Sequence, residues 1–413
     1  MSEGYSTGDI VAASCRGHPV EGIYITNRDG MAVIKLGSGY NIGVDPDSCT
    51  LVRAAPPAAP AGEFSVTQDD SLPDLAIIST GGTIASKIDY RTGAVTSRFT
   101  ADDILRAIPG LSTIGRYRSE VLATILSENM TPATWQALAR SVHDAVGDGA
   151  AGVIVTHGTD TMAYSASALA YMLKTPVPVV FVGSQRSADR PSSDNIMNAM
   201  CAASAATSDL GEVAVVMHAT TSDDHCAVHR GTRVRKMHTS RRDAFVSHDM
   251  APIGTVDYPS LEVRLSDDAV RRGHADLALH DRLEERCGLL YFYPGMPEAV
   301  VRAHEGCRGL VIAGTGLGHI STACIGAVRD LIDAGTAVVM TSQCLHGRVC
   351  DRVYDTGRDL LAAGVVEGED MLPEAALTKL MWVLGNESDP ERVREMMVTD
   401  LAGEIRRRSD HGL

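Results

Sequence analysis

The sequence is poor in aromatic side chains. Phe, Trp and Tyr together make up 4 % of 413 residues, so the core has to be built from Val, Ile, Leu, Ala and Met. Long apolar runs are also missing. Pro178–Val182 and Val213–Met217 are strand-length, far short of a membrane span. Positive charge is in deficit, with 37 Lys and Arg against 52 Asp and Glu, a net of -15. That balance favours solubility and argues against a broad nucleic-acid-binding surface. The opening MSEGYSTGD has no basic stretch leading into an apolar one, so no signal peptide is expected and the reading is a cytoplasmic protein. The nine cysteines are odd in number and irregularly spaced, which fits reduced thiols. Cys344, His346 and Cys350 form one group and Asp223, Asp224, His225, Cys226 and His229 another. Neither has a zinc spacing, and no metal is expected; both groups read as buried thiols and polar loop residues.

The ordinary apolar and charged fractions, 44 % and 22 %, indicate a globular chain long enough for two or three domains. Residues 1–53 read as a small β-barrel domain. The apolar runs Ile10-Val11, Val20–Thr26 and Met31–Leu36 are separated by turn signals at 16–19 and 27–30. Residues 54–73 begin with an Ala/Pro string that favours extended chain and reads as a semi-rigid linker. From residue 74 apolar strands alternate with helical stretches, with strands expected at Leu75–Ser79, Val121–Leu126, Gly152–Thr156, Val179–Gly183 and Val213–His218. Thr131-Pro132 is a helix start, an N-cap followed by proline at the first helical position. This order implies an α/β domain over 74–265 with a parallel sheet covered by helices. A polar connector, 266–286, leads to a second α/β domain over 287–413. Its expected strands are Cys287–Phe292, Leu310–Ala313 and Ala337–Met340.

Three strings carry chemistry. Ser79-Thr80-Gly81-Gly82-Thr83-Ile84-Ala85 follows the first strand of the larger unit. Ligands of open α/β sheets sit beyond the carboxyl ends of strands, and a hydroxyl presented there is a candidate nucleophile. The same string also reads as a structural glycine turn. Val155-Thr156-His157-Gly158-Thr159-Asp160-Thr161 sets a hydroxyl beside a carboxylate at another strand end; the alternative is a helix N-cap, which explains one of the two residues. Gly231–Thr239 contains Lys236 between basic neighbours. A lysine beside a reactive threonine serves as a base when desolvation or positive charge, here from Arg233 and Arg235, favours the neutral amine. Read alone, the string is a solvated basic loop.

In this order, TGGTIA, HGTDT and a downstream Lys-x-His-Thr closely resemble the asparaginase/glutaminase amidohydrolases, from residue 74 to the C-terminus. The resemblance implies an asparaginase-like fold and hydrolysis of a side-chain carboxamide. It implies that Thr83 is the acylated nucleophile on a flap and that Tyr90 stands beside it. Thr159, Asp160 and Lys236 would form a second triad. Ser127 and Glu128 would contact the substrate's carboxylate and amine. Backbone N–H groups of the glycine turn and of the Gly158-Thr159 turn would face the oxyanion.

The N-terminal domain, the linker and the wording of 184–194, 229–245 and 369–380 extend the resemblance to the D-subunit family of archaeal glutamyl-tRNA(Gln) amidotransferases, over essentially the whole chain. That family implies a glutaminase subunit, a homodimer within a heterotetramer, which supplies ammonia to a partner E subunit. The E subunit would hold Glu-tRNA(Gln), ATP and Mg, with no cofactor in this chain. The absence of a G-x-x-x-x-G-K-[ST] loop agrees with this division. Gly314–His319 is glycine-rich but lacks the third glycine of a dinucleotide fingerprint, and reads as a turn where the neighbouring subunit's second domain approaches the substrate. Leu317 stands where stand-alone asparaginases commonly carry Asn, so the usual inter-subunit amine contact is not implied. The basic run Arg230–Arg242 reads equally as a surface for tRNA or partner and as structural. The rival reading of the whole chain is a free-standing L-asparaginase.

Overall fold

The computed structural model describes residues 5–28, 30–37, 41–55, 68–81, 101–187 and 190–408, and the backbone alone at 87–88 and 95–96. Most of the Ala/Pro string therefore lies outside the described residues.

The N-terminal unit is a five-stranded antiparallel, barrel-like sheet of Ile10–Cys15, His18–Arg28, Met31–Leu36, Asn41–Val44 and Thr50–Arg53. Strands hairpin at Arg16-Gly17, both at positive φ. Alternate residues Val11, Ala13, Tyr24, Ala32, Ile34 and Val44 fill its interior, as a half-buried sheet requires.

The larger unit carries an eight-stranded sheet. Its order is Val263–Leu265, Gly254–Asp257, His225–Arg230, Val213–His218, Val179–Val182, Gly152–Thr156, Asp74–Ser79, Arg116–Val121. The last five of these run parallel. The first three extend the sheet antiparallel, so it is mixed rather than wholly parallel. Val, Ile and Ala fill the central strands on both faces, which pack against the helices Pro132–Gly147, Met162–Met172 and Asn195–Thr207. The Thr131 hydroxyl accepts from Thr134 N at 3.2 Å, capping its helix as the sequence implied.

One expected strand is displaced. Val121–Leu126 is apolar, yet the strand is Arg116–Val121 and the chain leaves the sheet after it. Leu122 and Ala123 N–H groups both turn onto the Ser79 carbonyl, Ile125 N–H reaches the Thr80 carbonyl, and Leu126 points outward. Arg116–Val121 lies at the sheet edge, where one row of partners suffices and polar side chains are tolerated.

The second α/β unit has four parallel strands, Cys287–Tyr291, Gly309–Gly314, Ala337–Ser342 and Val366–Glu367. The connector is tied down: Ala278–Leu279 pairs with Leu173–Lys174, and His280 N–H donates to the Met172 carbonyl. Helix Pro373–Asn386 of the second unit packs on Met162–Met172 of the first, where Ser167 and Thr378 hydroxyls meet at 2.9 Å in the buried seam. Met162–Met172 is consequently apolar nearly all round. Among the described residues no helix is long and apolar enough to cross a membrane.

Candidate active site

The chain order of the large sheet reverses at its Asp74–Ser79 strand. From there the chain passes to Arg116–Val121 on one side and then to Gly152–Thr156 on the other. Such a switch point opens a crevice beyond the carboxyl ends of the two central strands. Both threonine motifs emerge there: Ser79 is in register with Thr156, and Thr80 donates to the Thr156 carbonyl through both N–H and Oγ1, each at 3.1 Å. Gly81, at φ +118°, turns the chain away. A Cβ there would lie 2.4 Å from the Ile125 carbonyl oxygen, so only glycine fits. Thr83 and Tyr90, the sequence's candidates for nucleophile and neighbour, lie outside the described residues.

On the other side of the switch point the structure brings Thr159, Asp160 and Lys236 together across 77 residues of chain. Lys236 Nζ lies 2.8 Å from Thr159 Oγ1 and 2.7 Å from Asp160 Oδ1. Lys236 is carried on a short hairpin, Val234–Lys236 paired with Phe245–Ser247. Asp160 is exposed, whereas Lys236 and Thr159 are half-buried. Ser127 joins them: it is buried, its carbonyl accepts from Thr161 Oγ1 at 2.7 Å, and its side chain stands against Gly158. Glu128 is exposed in the same 3-10 turn, Ser127–Asn129. His157 is buried against Phe181, donates from its ring to the Gly158 carbonyl at 2.6 Å, and is held neutral, its pKa pushed down to about 4 by burial.

The basic run is not free. Arg230 pairs with Glu212, Arg233 with Asp370, Arg235 with Glu374, Arg241 with Asp243 and Arg242 with Asp223. Each of these arginines therefore already has an acidic partner within the chain. Arg233 is fully buried with its charge matched, and Arg235 faces Glu374, so neither presents the uncompensated positive field toward Lys236 that the sequence suggested. The nearest opposite charge to Lys236 is Asp160. Among the described residues no three His, Cys, Asp or Glu side chains are placed to hold a metal ion.

Sequence models of the family match this framework: "Asparaginase, N-terminal" over residues 74–269 and "Glutaminase/Asparaginase C-terminal domain" over 286–397. The glutamyl-tRNA(Gln) amidotransferase D subunit of Methanosarcina acetivorans is 54 % identical, with 97 % of this chain and 98 % of that protein covered. The chain belongs to the D-subunit family of glutamyl-tRNA(Gln) amidotransferases, within the asparaginase/glutaminase amidohydrolases. The corresponding D subunit of Archaeoglobus fulgidus is 55 % identical, over 96 % of this chain and 95 % of that one. The thermostable L-asparaginase from Thermococcus kodakarensis superposes with a TM-score of 0.71 at 33 % identity, covering 81 % of this chain and 99 % of that one. L-asparaginase I from Vibrio cholerae gives 0.69 at 27 %, again over 81 % and 99 %.

Sequence reasoning in this D-subunit family member gives no role to Asp194, which is fully buried and stands at the start of helix Asn195–Thr207 without capping it. Asn198, buried in that helix four residues later, is the available signal, since both side chains lie on one helix face.

Proposed function

We propose that this subunit hydrolyses glutamine to glutamate and ammonia, and that the ammonia is used by a partner E subunit to convert Glu-tRNA(Gln) to Gln-tRNA(Gln) with ATP. The observation carrying the reading is the Lys236 amine held by both Thr159 and Asp160, in a chain that matches amidotransferase D subunits from end to end. A solved L-asparaginase is matched over nearly its whole length yet accounts for 81 % of this chain. The family models begin at residue 74, after the barrel-like unit. That difference favours the amidotransferase reading over a free-standing asparaginase.

In this reading the hydroxyl of Thr83 attacks the carboxamide carbon, with Tyr90 beside it. The C–N bond breaks, the hydroxyl proton passes to the departing nitrogen, and ammonia leaves an acyl ester that water cleaves to glutamate. Thr159 and Lys236 serve the proton transfers, their heteroatoms being within hydrogen-bond reach of each other. Ser127 and Glu128 contact the substrate's carboxylate and amine, and Asp160, beside Thr159, holds the Lys236 amine. Backbone N–H groups of the Gly81 and Gly158-Thr159 turns face the oxyanion. ATP and Mg belong to the E subunit, and two copies of each subunit form the complex in a cytoplasmic setting.

The test uses the assembled complex. Thr159→Ala and Lys236→Ala are each expected to abolish glutamine-dependent formation of Gln-tRNA(Gln) while ammonia-dependent formation persists. Retention of glutaminase activity by both variants refutes the site. Strong asparagine turnover by the chain without partner or tRNA refutes the amidotransferase role.

A further inference from the structure

Thr159 and Lys236 meet across one hydrogen bond, but each is also held from behind. Behind Thr159 is Gly183, at the end of the Val179–Val182 strand. A Cβ on Gly183 would lie 2.8 Å from Thr159 Cγ2, so the chain turn there rests directly on the Thr159 side chain. The turn is fixed by Asp194, whose side chain has no exposure. Asp194 accepts from Ser184 Oγ, Gln185 N and Arg186 N, and from Asn198 Nδ2, all at 2.9 Å. Four donors satisfy this buried carboxylate, the condition under which a charge is tolerated in a core.

Asn198 continues the path. Its amide nitrogen also donates to the Gly183 carbonyl at 3.0 Å, which fixes Oδ1 as the acceptor. That oxygen receives both the backbone N–H of His218, at 3.1 Å, and the ring Nδ1–H of His218, at 2.6 Å. The other ring nitrogen of His218, Nε2, lies 3.3 Å from Asp223 Oδ1; it donates there as imidazolium, the form that burial of the ring disfavours and Asp223 favours. Asp223 in turn binds the Arg242 guanidinium, which also reaches the Thr221 carbonyl. Arg242 sits in the loop of the hairpin that carries Lys236. The contacts close a ring: Thr159, Gly183, Asp194, Asn198, His218, Asp223, Arg242, the hairpin, Lys236, and back to Thr159.

We infer that Asp194, Asn198, His218, Asp223 and Arg242 are positioning residues that set the register of the Lys236 hairpin against the Thr159 turn. The inference rests on the assignment of Thr159 and Lys236 to the reaction. Among the described residues none of the five bonds Thr159 or Lys236 directly; they act by fixing the two segments on which those residues stand. A displacement of about 1 Å at such a contact lowers turnover by up to about a hundredfold.

Substitution of Asp194 endangers the core, so the test is placed at the open end of the chain, where the Asp223 side chain is 62 % exposed. Asp223→Ala, Arg242→Ala and Arg242→Lys are compared with wild type in glutamine hydrolysis by the assembled complex, with thermal unfolding recorded for each. The two alanine variants are expected to lose about ten- to a hundredfold in kcat with KM within about twofold. Their unfolding midpoint is expected to stay close to wild type, and Arg242→Lys, which keeps the charge opposite Asp223, is expected to recover part of kcat. Unchanged kcat in both alanine variants, or a rise in KM alone, overturns the inference. Lys236→Ala is run in parallel. If it is inactive while the chain variants behave as wild type, the positioning chain fails and the site stands; if it turns over normally, the site assignment itself fails.

Discussion

Arg233 and Asp370 form a fully buried ion pair between the two α/β units, with Nη2 2.8 Å from Oδ2. Arg233 also donates to the Asp370 carbonyl at 3.0 Å and to the Gly403 carbonyl at 3.2 Å, and Asp370 accepts from Arg406 N at 3.1 Å. The pair stands immediately before the Val234–Lys236 strand, so it anchors the base of the lysine hairpin.

Removing one partner leaves an uncompensated charge in the core. Arg233→Ala or Asp370→Asn is expected to cost about 3–5 kcal/mol of stability. The double replacement Arg233→Met with Asp370→Leu is expected to cost less than either. Denaturant unfolding of the three proteins decides it; near-wild-type stability of the single variants contradicts the anchoring role.

Gly158→Ala is expected to damage activity more than stability. The added Cβ would lie 2.7 Å from Ser127 Cβ and 3.0 Å from its Oγ, and the two turns have to part. That moves Ser127 relative to Thr159. Steady-state kinetics should show kcat/KM down by about a hundredfold. A variant with wild-type kinetics disproves the close apposition of the two turns.

Acid should weaken the fold through His157. Burial pushes its folded pKa down to about 4, below the ordinary histidine value. The unfolded state therefore binds more protons between the two values. The stabilising contribution is complete above the unfolded pKa and is lost as pH falls toward the folded one, at about 1.4 kcal/mol per pH unit. His157→Asn, whose amide can still donate to the Gly158 carbonyl, should show a shallower loss of stability between pH 6 and pH 4. Parallel pH profiles for the two proteins would exclude this source.

Asp351 should act in the opposite direction. Both its oxygens are buried without a hydrogen-bond partner among the described residues, and burial, reinforced by Glu367, pushes its pKa up to about 7. The folded state then holds the proton more tightly than the unfolded one. Its destabilising effect appears as pH rises above the unfolded value and is complete above the folded one. Asp351→Asn is expected to raise the thermal midpoint more at pH 8 than at pH 5. An equal change at both pH values would argue against the buried carboxyl as the cause.

The strand ends that present the two threonine motifs are legible in the sequence because both follow short apolar runs and break into glycine turns. The edge strand Arg116–Val121 is not, since half its side chains face solvent and the more apolar run beside it is diverted by backbone bonds to Ser79 and Thr80. The Lys236 string looks like a basic loop because its acidic partners are remote: Asp370 is 137 residues from Arg233. Local pattern carries no trace of such pairings. The same holds for Cys344, expected among buried thiols and in fact exposed.

Residues 399–406 fasten the structure from outside. Lys174 donates to the Leu401 carbonyl, Thr232 to the Ala402 carbonyl and Arg233 to the Gly403 carbonyl, while Lys379 and Glu404 form a buried pair at 2.6 Å. Two of these anchors, Thr232 and Arg233, immediately precede the strand of Lys236. Contacts that span 170 residues thus tie the position of the lysine hairpin to the docking of 399–406, as a splint holds a joint it does not cross.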